Sequence, residues 1–175
     1  MKKYRKGIII GRFQPFHLGH LKAVEYASSL CERLVIGIGS AQESGTVRNP
    51  FDADTREAMI RESLKDAGLD LKVIEFLRIP DFMDDEKWFN YIIQHVPDIE
   101  VVFSGNGWVR RIFKARGMKV VVPPWYNRGE ISGTKVRQLI RSDQKWEGLV
   151  PRAVISIINR HRSDLIGSSA DLSQQ

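Results

Sequence analysis

The sequence predicts a single domain with a doubly wound, Rossmann-like α/β fold, and three observations support this prediction. Short apolar runs alternate along the chain with segments of helical length, as in a parallel sheet of about five strands covered by helices on both faces. The 175 residues, of which 42% are hydrophobic, suffice for one buried core but are few for two. The one cysteine excludes a disulfide framework and a zinc site built from several cysteines.

The first strand is predicted over residues 8–10, where three isoleucines follow Gly7. An amphipathic helix over residues 18–30 comes next because its apolar residues recur at helical spacing, and Cys31 is placed in the same helix. The second strand, residues 34–38, is an apolar run closed by a glycine and a serine. A continuous apolar run of this length is typical of a strand that is buried on both faces.

A polar loop broken by glycine and proline separates the second strand from the next helix. This helix is predicted to begin after Asp52, a good N-cap residue, and to continue to about Ala67. A third strand is predicted over residues 71–77 and a helix over residues 86–95. The alternation of strand and helix therefore continues through the middle of the chain.

The second half of the chain repeats this pattern and then ends in two helices. Its predicted elements are a strand at 101–103, a helix at 109–115, a strand at 119–122, and helices at 133–141 and 151–160. The folded domain is accordingly expected over residues 1–162. The serine-rich, aperiodic stretch at 163–175 is expected to be a mobile tail.

The chain carries a formal net charge of +6, which suits polyanionic ligands such as nucleotides but also describes an ordinary surface rich in lysine and arginine. No stretch approaches the roughly 18 apolar residues of a membrane-spanning helix. The apolar run near the basic N-terminus is four residues long, too short for the core of a signal peptide. These features predict a cytoplasmic protein that does not associate with membranes.

The segment GRFQPFHLGH, residues 11–20, lies between the first predicted strand and helix. Doubly wound sheets bind ligands at the carboxyl ends of their strands, and a helix N-terminus favours phosphate. Gly19 lets a ring or phosphate approach the backbone, and His17 and His20 can lie on one side of the first helical turn. Helix capping is a second possible role for the pair. Metal ligation is a third, but the sequence supplies no second cysteine, HExxH motif or nearby carboxylate that would complete a metal site.

A second cluster, ISGTKVR at residues 131–137, predicts another phosphate-binding helix N-terminus. Ser132 and Thr134 supply hydroxyl groups around Gly133, and Arg137 follows about one turn later. Capping of the helix by one of the hydroxyls is the alternative role.

Together the two motifs resemble the nucleotidyltransferases that share the HxGH signature, and within them the archaeal type of nicotinamide-nucleotide adenylyltransferase. The resemblance extends from Gly7 to about Ile158 and includes the shorter segments Gly39-Ser-Ala-Gln, Arg48-Asn-Pro-Phe and Ser104-Gly-Asn106. ISGTKVR departs from the lysine-rich KMSKS loop of the related class I aminoacyl-tRNA synthetases, so no role is assigned to Lys135.

The resemblance implies transfer of the adenylyl group of ATP to the 5′-phosphate of nicotinamide mononucleotide, giving NAD and pyrophosphate, with Mg²⁺ held by the ATP phosphates and water. Nicotinate mononucleotide is a second candidate acceptor. Members of this type are often homohexamers, which implies a homo-oligomer. The implied catalytic residues are His17, His20 and Arg137. The implied ATP-binding residues are Gly11, Arg12, Phe13, Gln14, His17, Gly19, His20, Arg48, Ser132, Gly133, Thr134 and Arg137, and the implied nicotinamide-nucleotide-binding residues are Ser40, Asp81, Trp88 and Asn106.

Two other functions stay open at the level of sequence. The same chemistry could serve another acceptor, such as phosphopantetheine or a flavin nucleotide, because the two motifs recognise ATP rather than the acceptor. A nucleic-acid-binding module is the third hypothesis, although the basic residues are spread along the chain. The role of Trp88 is open too, because a tryptophan at a helix start followed by Phe89 and Ile92 is commonly a core residue rather than a platform for nicotinamide.

Overall fold

The computed structural model describes residues 2–124 and 131–161, and it contains the predicted parallel sheet. The five strands lie in the order β3-β2-β1-β4-β5, and each neighbouring pair is parallel. The strands are β1 (Tyr4–Gly11), β2 (Cys31–Ile38), β3 (Ile74–Arg78), β4 (Val101–Phe103) and β5 (Val120–Val121). The helices are α1 (Leu18–Leu30), α2 (Ala53–Asp66), α3 (Asp85–His95), α4 (Gly107–Lys114), α5 (Gly133–Arg141) and α6 (Arg152–Arg160). The doubly wound α/β prediction is confirmed.

Helices cover both faces of the sheet. Two neighbouring residues of β1 show this, because adjacent residues of a strand point to opposite sides. Ile9 of β1 packs in a core with Val24 of α1 and Met59 of α2, to which α5 and α6 also contribute. Ile8 packs in a second core with Ile92 of α3 and with residues of α4. Ile8 is 0% exposed and Ile9 is 5% exposed, so the central strand β1 is buried on both faces.

The prediction that places Cys31 in α1 is wrong. Cys31 is the first residue of β2, where it pairs with Tyr4, and its backbone N–H donates to the carbonyl of Ala27 at the end of the helix. One residue therefore ends α1 and begins β2. No glycine or proline separates the two elements, so the residue pattern carries no boundary signal.

The third strand is shorter than predicted. Leu71–Val73 forms a 3-10 turn, and β3 begins at Ile74. The side chain of Asp70 accepts a hydrogen bond from the N–H of Lys72 at 2.9 Å, which holds the start of the apolar run in a turn.

The sheet order reverses between β1 and β4, since β2 and β3 lie on one side of β1 whereas β4 and β5 lie on the other. A crevice forms beyond the carboxyl ends of strands at such a point. In the part of the chain that the structure describes, no helix combines the length and the apolar character needed to cross a membrane. The stretch 163–175 lies outside the described residues, so the predicted domain boundary stays a prediction.

Candidate functional site

A cleft of about 1000 Å³ opens at this crevice. Its walls are the turn after β1, the loop after β2, the segment after β4 and the first turn of α5. With one exception, the residues predicted for the site line the cleft, and they are Gly11, Arg12, Phe13, Gln14, Gly19, His20, Ser40, Arg48, Asp81, Trp88, Asn106, Ser132, Gly133, Thr134 and Arg137. The exception, His17, is 8% exposed and packs against His20.

The turn after β1 is held in shape from within the protein. Phe13 has a positive φ of 53° and packs edge-on against the His20 ring. The side-chain amide of Gln14 donates to the carbonyl of Phe51 at 2.6 Å and accepts from the Phe51 N–H at 3.0 Å. The Gln14 side chain therefore fastens the loop after β2 to this turn, whose residues line the cleft.

His17 and His20 cap α1 reciprocally. His17 Nδ1 accepts from the His20 N–H, and His20 Nδ1 accepts from the His17 N–H, both at 3.3 Å. The two rings are stacked with centroids 3.5 Å apart. Because each Nδ1 accepts a hydrogen bond, each neutral ring carries its proton on Nε2. Capping and ligand binding are thus compatible, since the cap uses Nδ1 and leaves Nε2–H as a donor.

Both imidazoles are neutral at pH 7. Burial lowers the pKa of His17 to about 4. Burial, and secondarily repulsion from His17, lowers the pKa of His20 well below its ordinary value. The hydrogen bond from a neutral Nε2–H is stronger when the accepting oxygen is negatively charged. His20 is therefore suited to bind an anionic ligand.

The cap predicts a stability loss in mild acid. The unfolded chain protonates His17 near pH 6.5, whereas the folded protein resists protonation down to about pH 4. Unfolding therefore takes up a proton in this interval. The free energy of unfolding should fall as the pH drops from about 6.5 towards 4, by up to about 1.4 kcal/mol per pH unit for each histidine. Urea unfolding at pH 7.5, 6.5 and 5.5 measures this slope.

The matched variant for this measurement is His17→Asn, because asparagine is a good N-cap and does not titrate. We expect the variant to fold at pH 7.5 and to lose less stability than the wild type between pH 6.5 and 5.5. Equal slopes for the two proteins would show that the imidazole cap does not control this interval.

The first turn of α5 lies directly against the turn after β1. Ser132 is the N-cap, and its hydroxyl accepts from the N–H of Lys135 at 3.2 Å. A Cβ atom on Gly133 would lie 2.9 Å from the carbonyl oxygen of Gln14 and 3.2 Å from Arg137 Nη1. Only glycine allows this approach, which brings two helix N-termini, those of α1 and α5, to one cleft.

Arg137 is a buried cation whose hydrogen-bonding groups are only partly used. It is 7% exposed, Nη1 donates to the Gln14 carbonyl at 2.6 Å, and Nη2 donates to the Thr134 hydroxyl at 3.3 Å. Its Nε is buried without a hydrogen-bond partner. Burial first, and then repulsion from three other arginines, lowers the pKa of Arg137 to about 10. Arg137 therefore remains charged at neutral pH.

Three further arginines surround Arg137. Arg12, Arg141 and Arg48 all act on its pKa by repulsion. Arg12 Nη1 lies 3.5 Å from the Asn49 side-chain oxygen, and burial lowers its pKa, with Arg48 adding repulsion. Arg141 Nη1 donates to the carbonyl of Val47 at 3.1 Å, which links α5 to the loop after β2. Such a concentration of positive charge around one cleft favours a polyanion.

Other residues that line the cleft are acidic or aromatic. Ser40, with a positive φ of 48°, donates from its hydroxyl to Asp81 at 3.1 Å. In the described part of the chain, Glu43 and Asp81 are the carboxylates that line the cleft. The cleft therefore combines a group of arginines with these two carboxylates, so it offers both positive and negative charge to a ligand.

Trp88 lies at the boundary between the cleft and the core. It is 3% exposed and packs against Phe113 in the core on the Ile8 side of the sheet. Its ring centroid lies 4.6 Å from that of Trp108, whose Nε1 donates to Asp85 at 2.9 Å. Asn106 caps α4 by accepting from the N–H groups of Trp108 and of the next residue. Trp88 is therefore a core residue whose ring also reaches the cleft.

Trp108 and Arg56 are contributors to the site that sequence reasoning missed. Trp108 lines the cleft beside Trp88, although it stands twenty residues later in the chain. Arg56 of α2 is 0% exposed and binds backbone carbonyls beneath the cleft floor. An arginine in an amphipathic helix carries no sequence signal for burial, because arginine is mostly exposed. Among residues 2–124 and 131–161 the structure contains no group of three or more His, Cys, Asp or Glu side chains that could hold a metal ion.

A family model matches the part of the chain that forms the cleft. The cytidylyltransferase-like family model matches residues 8–139. This range contains the turn after β1, the loop after β2 and the start of α5, so the match includes all the walls of the cleft.

Two curated relatives match most of the chain. The nicotinamide-nucleotide adenylyltransferase of Saccharolobus solfataricus is 44% identical over 159 residues, which are 91% of this chain and 92% of that protein. The nicotinamide-nucleotide adenylyltransferase of Pyrococcus horikoshii is 41% identical over 153 residues, which are 87% of this chain and 82% of that protein. Both alignments therefore cover more than four fifths of each protein.

A solved structure shares the fold. It is a bifunctional NMN adenylyltransferase/ADP ribose pyrophosphatase from Francisella tularensis, complexed with AMP and a manganese ion. The TM-score is 0.80 at 21% identity, and the match covers 97% of this chain and 54% of the other, so this chain spans about half the length of that protein. At this identity the comparison supports the fold.

Proposed function

The chain belongs to the cytidylyltransferase-like family and, within it, to the nicotinamide-nucleotide adenylyltransferases, and from this we propose that it makes NAD. The reaction transfers the adenylyl group of ATP to the 5′-phosphate of nicotinamide mononucleotide and releases pyrophosphate. One observation of the site carries the proposal. Arg137 is a buried cation with an unpartnered Nε, among other arginines, and in the described residues no carboxylate forms an ion pair with it. A triphosphate supplies the missing anion.

The chemistry requires no general base. The attacking group is a phosphate oxygen, and a phosphomonoester is largely ionised at neutral pH because its second pKa is about 6. The protein has to align two anions and stabilise the charge that develops on the α-phosphorus oxygens and on the departing pyrophosphate. Histidine, arginine and helix N-termini supply this stabilisation, and the transfer proceeds by direct in-line attack.

Each phosphate-binding group has a defined contribution. His20 donates from Nε2 to a phosphate oxygen, and His17 holds His20 in this tautomer from below. Arg137 and Arg12 bind the triphosphate as planar donors, and Arg48 of the loop after β2 adds a third guanidinium. The N-termini of α1 and α5 add partial positive charge from their free N–H groups.

We propose that Mg²⁺ enters as part of the ATP complex. Its ligands are oxygen atoms, and it commonly keeps several waters and binds substrate phosphates. The donors on the phosphate side of the cleft are arginine and histidine, which suit the phosphates rather than the ion. ATP oxygens and water would therefore hold Mg²⁺, which would supply positive charge against the charge that develops on the phosphates.

The nicotinamide nucleotide occupies the other side of the cleft. Its pyridinium ring is cationic, so carboxylates near Ser40 and an aromatic face favour it. Trp88 with Trp108 supplies the aromatic surface, Asp81 supplies negative charge, and Asn106 supplies an amide. The protein is further proposed to be a cytoplasmic homo-oligomer.

Trp88 provides a test of the acceptor side. Trp88→Leu removes the aromatic face but keeps an apolar side chain in the core. We expect the KM for nicotinamide mononucleotide to rise about two- to thirtyfold, the range that a loss of 0.5 to 2 kcal/mol in cation–π energy gives, while the KM for ATP stays nearly constant. Steady-state kinetics with each substrate varied in turn measures this difference.

Phe113→Leu is the matched control, because Phe113 contacts Trp88 in the same core and does not line the described part of the cleft. Its melting temperature should fall while both KM values remain. If Trp88→Leu raises the two KM values equally and behaves like Phe113→Leu, then Trp88 is a core residue and the acceptor binds elsewhere.

The overall proposal is tested by pyrophosphate release from Mg-ATP with a panel of phosphorylated acceptors. Nicotinamide mononucleotide should give the highest kcat/KM, and nicotinate mononucleotide, phosphopantetheine and a flavin nucleotide are the comparison acceptors. Release only with one of the last two would overturn the acceptor assignment. No release with any acceptor, together with RNA affinity that falls steeply with salt, would favour the nucleic-acid hypothesis.

A further inference from the structure

Arg56 of α2 binds the ends of two strands together beneath the cleft. Its Nη1 donates to the carbonyl of Arg12 at 2.9 Å and to the carbonyl of Gly39 at 2.7 Å, and Nη2 donates to the carbonyl of Ser40 at 3.0 Å. Its Nε donates to the carbonyl of Asp52 at 3.1 Å, at the start of its own helix. The side chain is 0% exposed, so these carbonyls, and not water, satisfy its N–H groups.

The position of this clamp follows from the sheet. The ladder between β1 and β2 ends with Gly11 opposite Ile38, and the last backbone bond runs from the N–H of Gly39 to the carbonyl of Gly11 at 2.9 Å. Beyond this bond the ladder does not continue, and residues of both chains line the cleft. Arg56 replaces the missing ladder bonds, since one nitrogen atom, Nη1, donates to both chains.

Two of the residues that Arg56 joins, Arg12 and Ser40, belong to different halves of the candidate site. Arg12 belongs to the arginine-rich side, whereas Ser40 donates to Asp81 on the acceptor side. Ser40 also has a positive φ of 48°, a conformation that is uncommon for a residue with a side chain and needs support from its surroundings. The hydrogen bond from Arg56 to the Ser40 carbonyl supplies such support.

Resting on the proposed function, we infer that Arg56 is a positioning residue that sets the separation and orientation of the ATP half and the acceptor half of the cleft. It touches neither substrate. Its planar fork reaches carbonyls in several directions, which the single ammonium group of lysine cannot reproduce. The consequence is that each nucleotide can bind without Arg56, but the two are misaligned for in-line attack.

Two variants test this inference. Arg56→Lys keeps the positive charge and most of the stem, and Arg56→Gln removes the charge. At temperatures where circular dichroism shows a folded protein, kcat should fall about 10- to 100-fold, because a misplacement of about 1 Å is enough for such a loss. The KM for ATP should stay within about threefold of the wild type. If Arg56→Gln does not fold, Arg56→Lys carries the test.

Binding measurements separate positioning from a general structural role without any turnover. NAD spans both halves of the cleft, whereas ATP occupies one. Calorimetric titration of Arg56→Lys should show an affinity for NAD that is reduced about tenfold or more and an affinity for ATP within about threefold of the wild type. Leu64→Ala is the control, because Leu64 is a 0% exposed residue of the same helix that does not line the described part of the cleft. It should lose thermal stability and keep kcat and both affinities.

The inference is overturned if Arg56→Lys retains the wild-type kcat, if its affinities for ATP and NAD fall equally, or if Leu64→Ala at a similar melting temperature loses as much activity. A wild-type protein that releases no pyrophosphate with any acceptor would refute the proposed function instead. In that case the comparison of ATP and NAD affinities would still decide the role of Arg56.

Discussion

Replacement of His20 by alanine is expected to lower kcat by roughly 10²-fold or more, the usual cost of removing one preorganised donor that stabilises developing charge. His20 lines the cleft, and its Nδ1 is occupied by the His17 N–H, so Nε2–H is the donor available to a phosphate. The loss should appear in kcat more than in the KM for ATP, because the hydrogen bond strengthens as charge builds on the phosphate. Steady-state pyrophosphate release measures it.

Two comparison variants make this result interpretable. His95→Ala removes the histidine at the end of α3, whose ring contacts Tyr91 and which does not line the described part of the cleft, so its activity should equal that of the wild type. His17→Asn keeps an acceptor at the N-cap but loses the ring that stacks on His20, so its kcat should lie between those of the wild type and His20→Ala. A folded His20→Ala protein with wild-type turnover would falsify the phosphate-binding role of the first turn.

The sequence predicts the layout of the fold because the layout depends on local pattern. Apolar runs locate β1, β2 and β4, and helical spacing locates α1 and α2. One error has a local cause, since β3 begins late where the Lys72 N–H donates to the Asp70 side chain, and the other occurs where a tertiary contact decides. Cys31 moves from helix to strand because it pairs with Tyr4 across the sheet, a contact between residues far apart in the chain.

The two linear motifs of the candidate site could be predicted from the sequence. The different positions of the residues within a motif could not. Spacing of three residues places His17 and His20 on one side of a helix, but only the tertiary structure shows that His20 lines the cleft whereas His17 is buried against the His20 ring and does not. Arg56 was not predictable, because its partners are carbonyl groups of other segments. Backbone carbonyls are common to all residues and leave no trace in a sequence.

Substitution of Arg137 is expected to cause the second large loss of activity. Its variants distinguish a role in ATP binding from a role in folding. Arg137→Lys keeps the charge but not the planar donors, and we expect kcat/KM for ATP to fall about 10²-fold, as for loss of a charge-stabilising donor. Arg137→Met removes the charge and should lower activity further. Arg48→Lys is the comparison, because Arg48 lies exposed on the loop after β2; it should lose activity, but less than Arg137→Lys.

Thermal unfolding with and without ATP gives the decisive measurement on Arg137. A buried cation without an ion pair destabilises the empty protein, since desolvation is not compensated by an opposite charge. Arg137→Met should therefore melt at the wild-type temperature or above it without ligand, although it loses the hydrogen bond to the Gln14 carbonyl. The wild type should gain stability with Mg-ATP in proportion to RT ln(1 + [L]/Kd), and the variant should gain much less. A variant that melts far below the wild type and keeps the full ATP-induced shift would show that Arg137 serves the fold, and the triphosphate would have to bind elsewhere in the cleft.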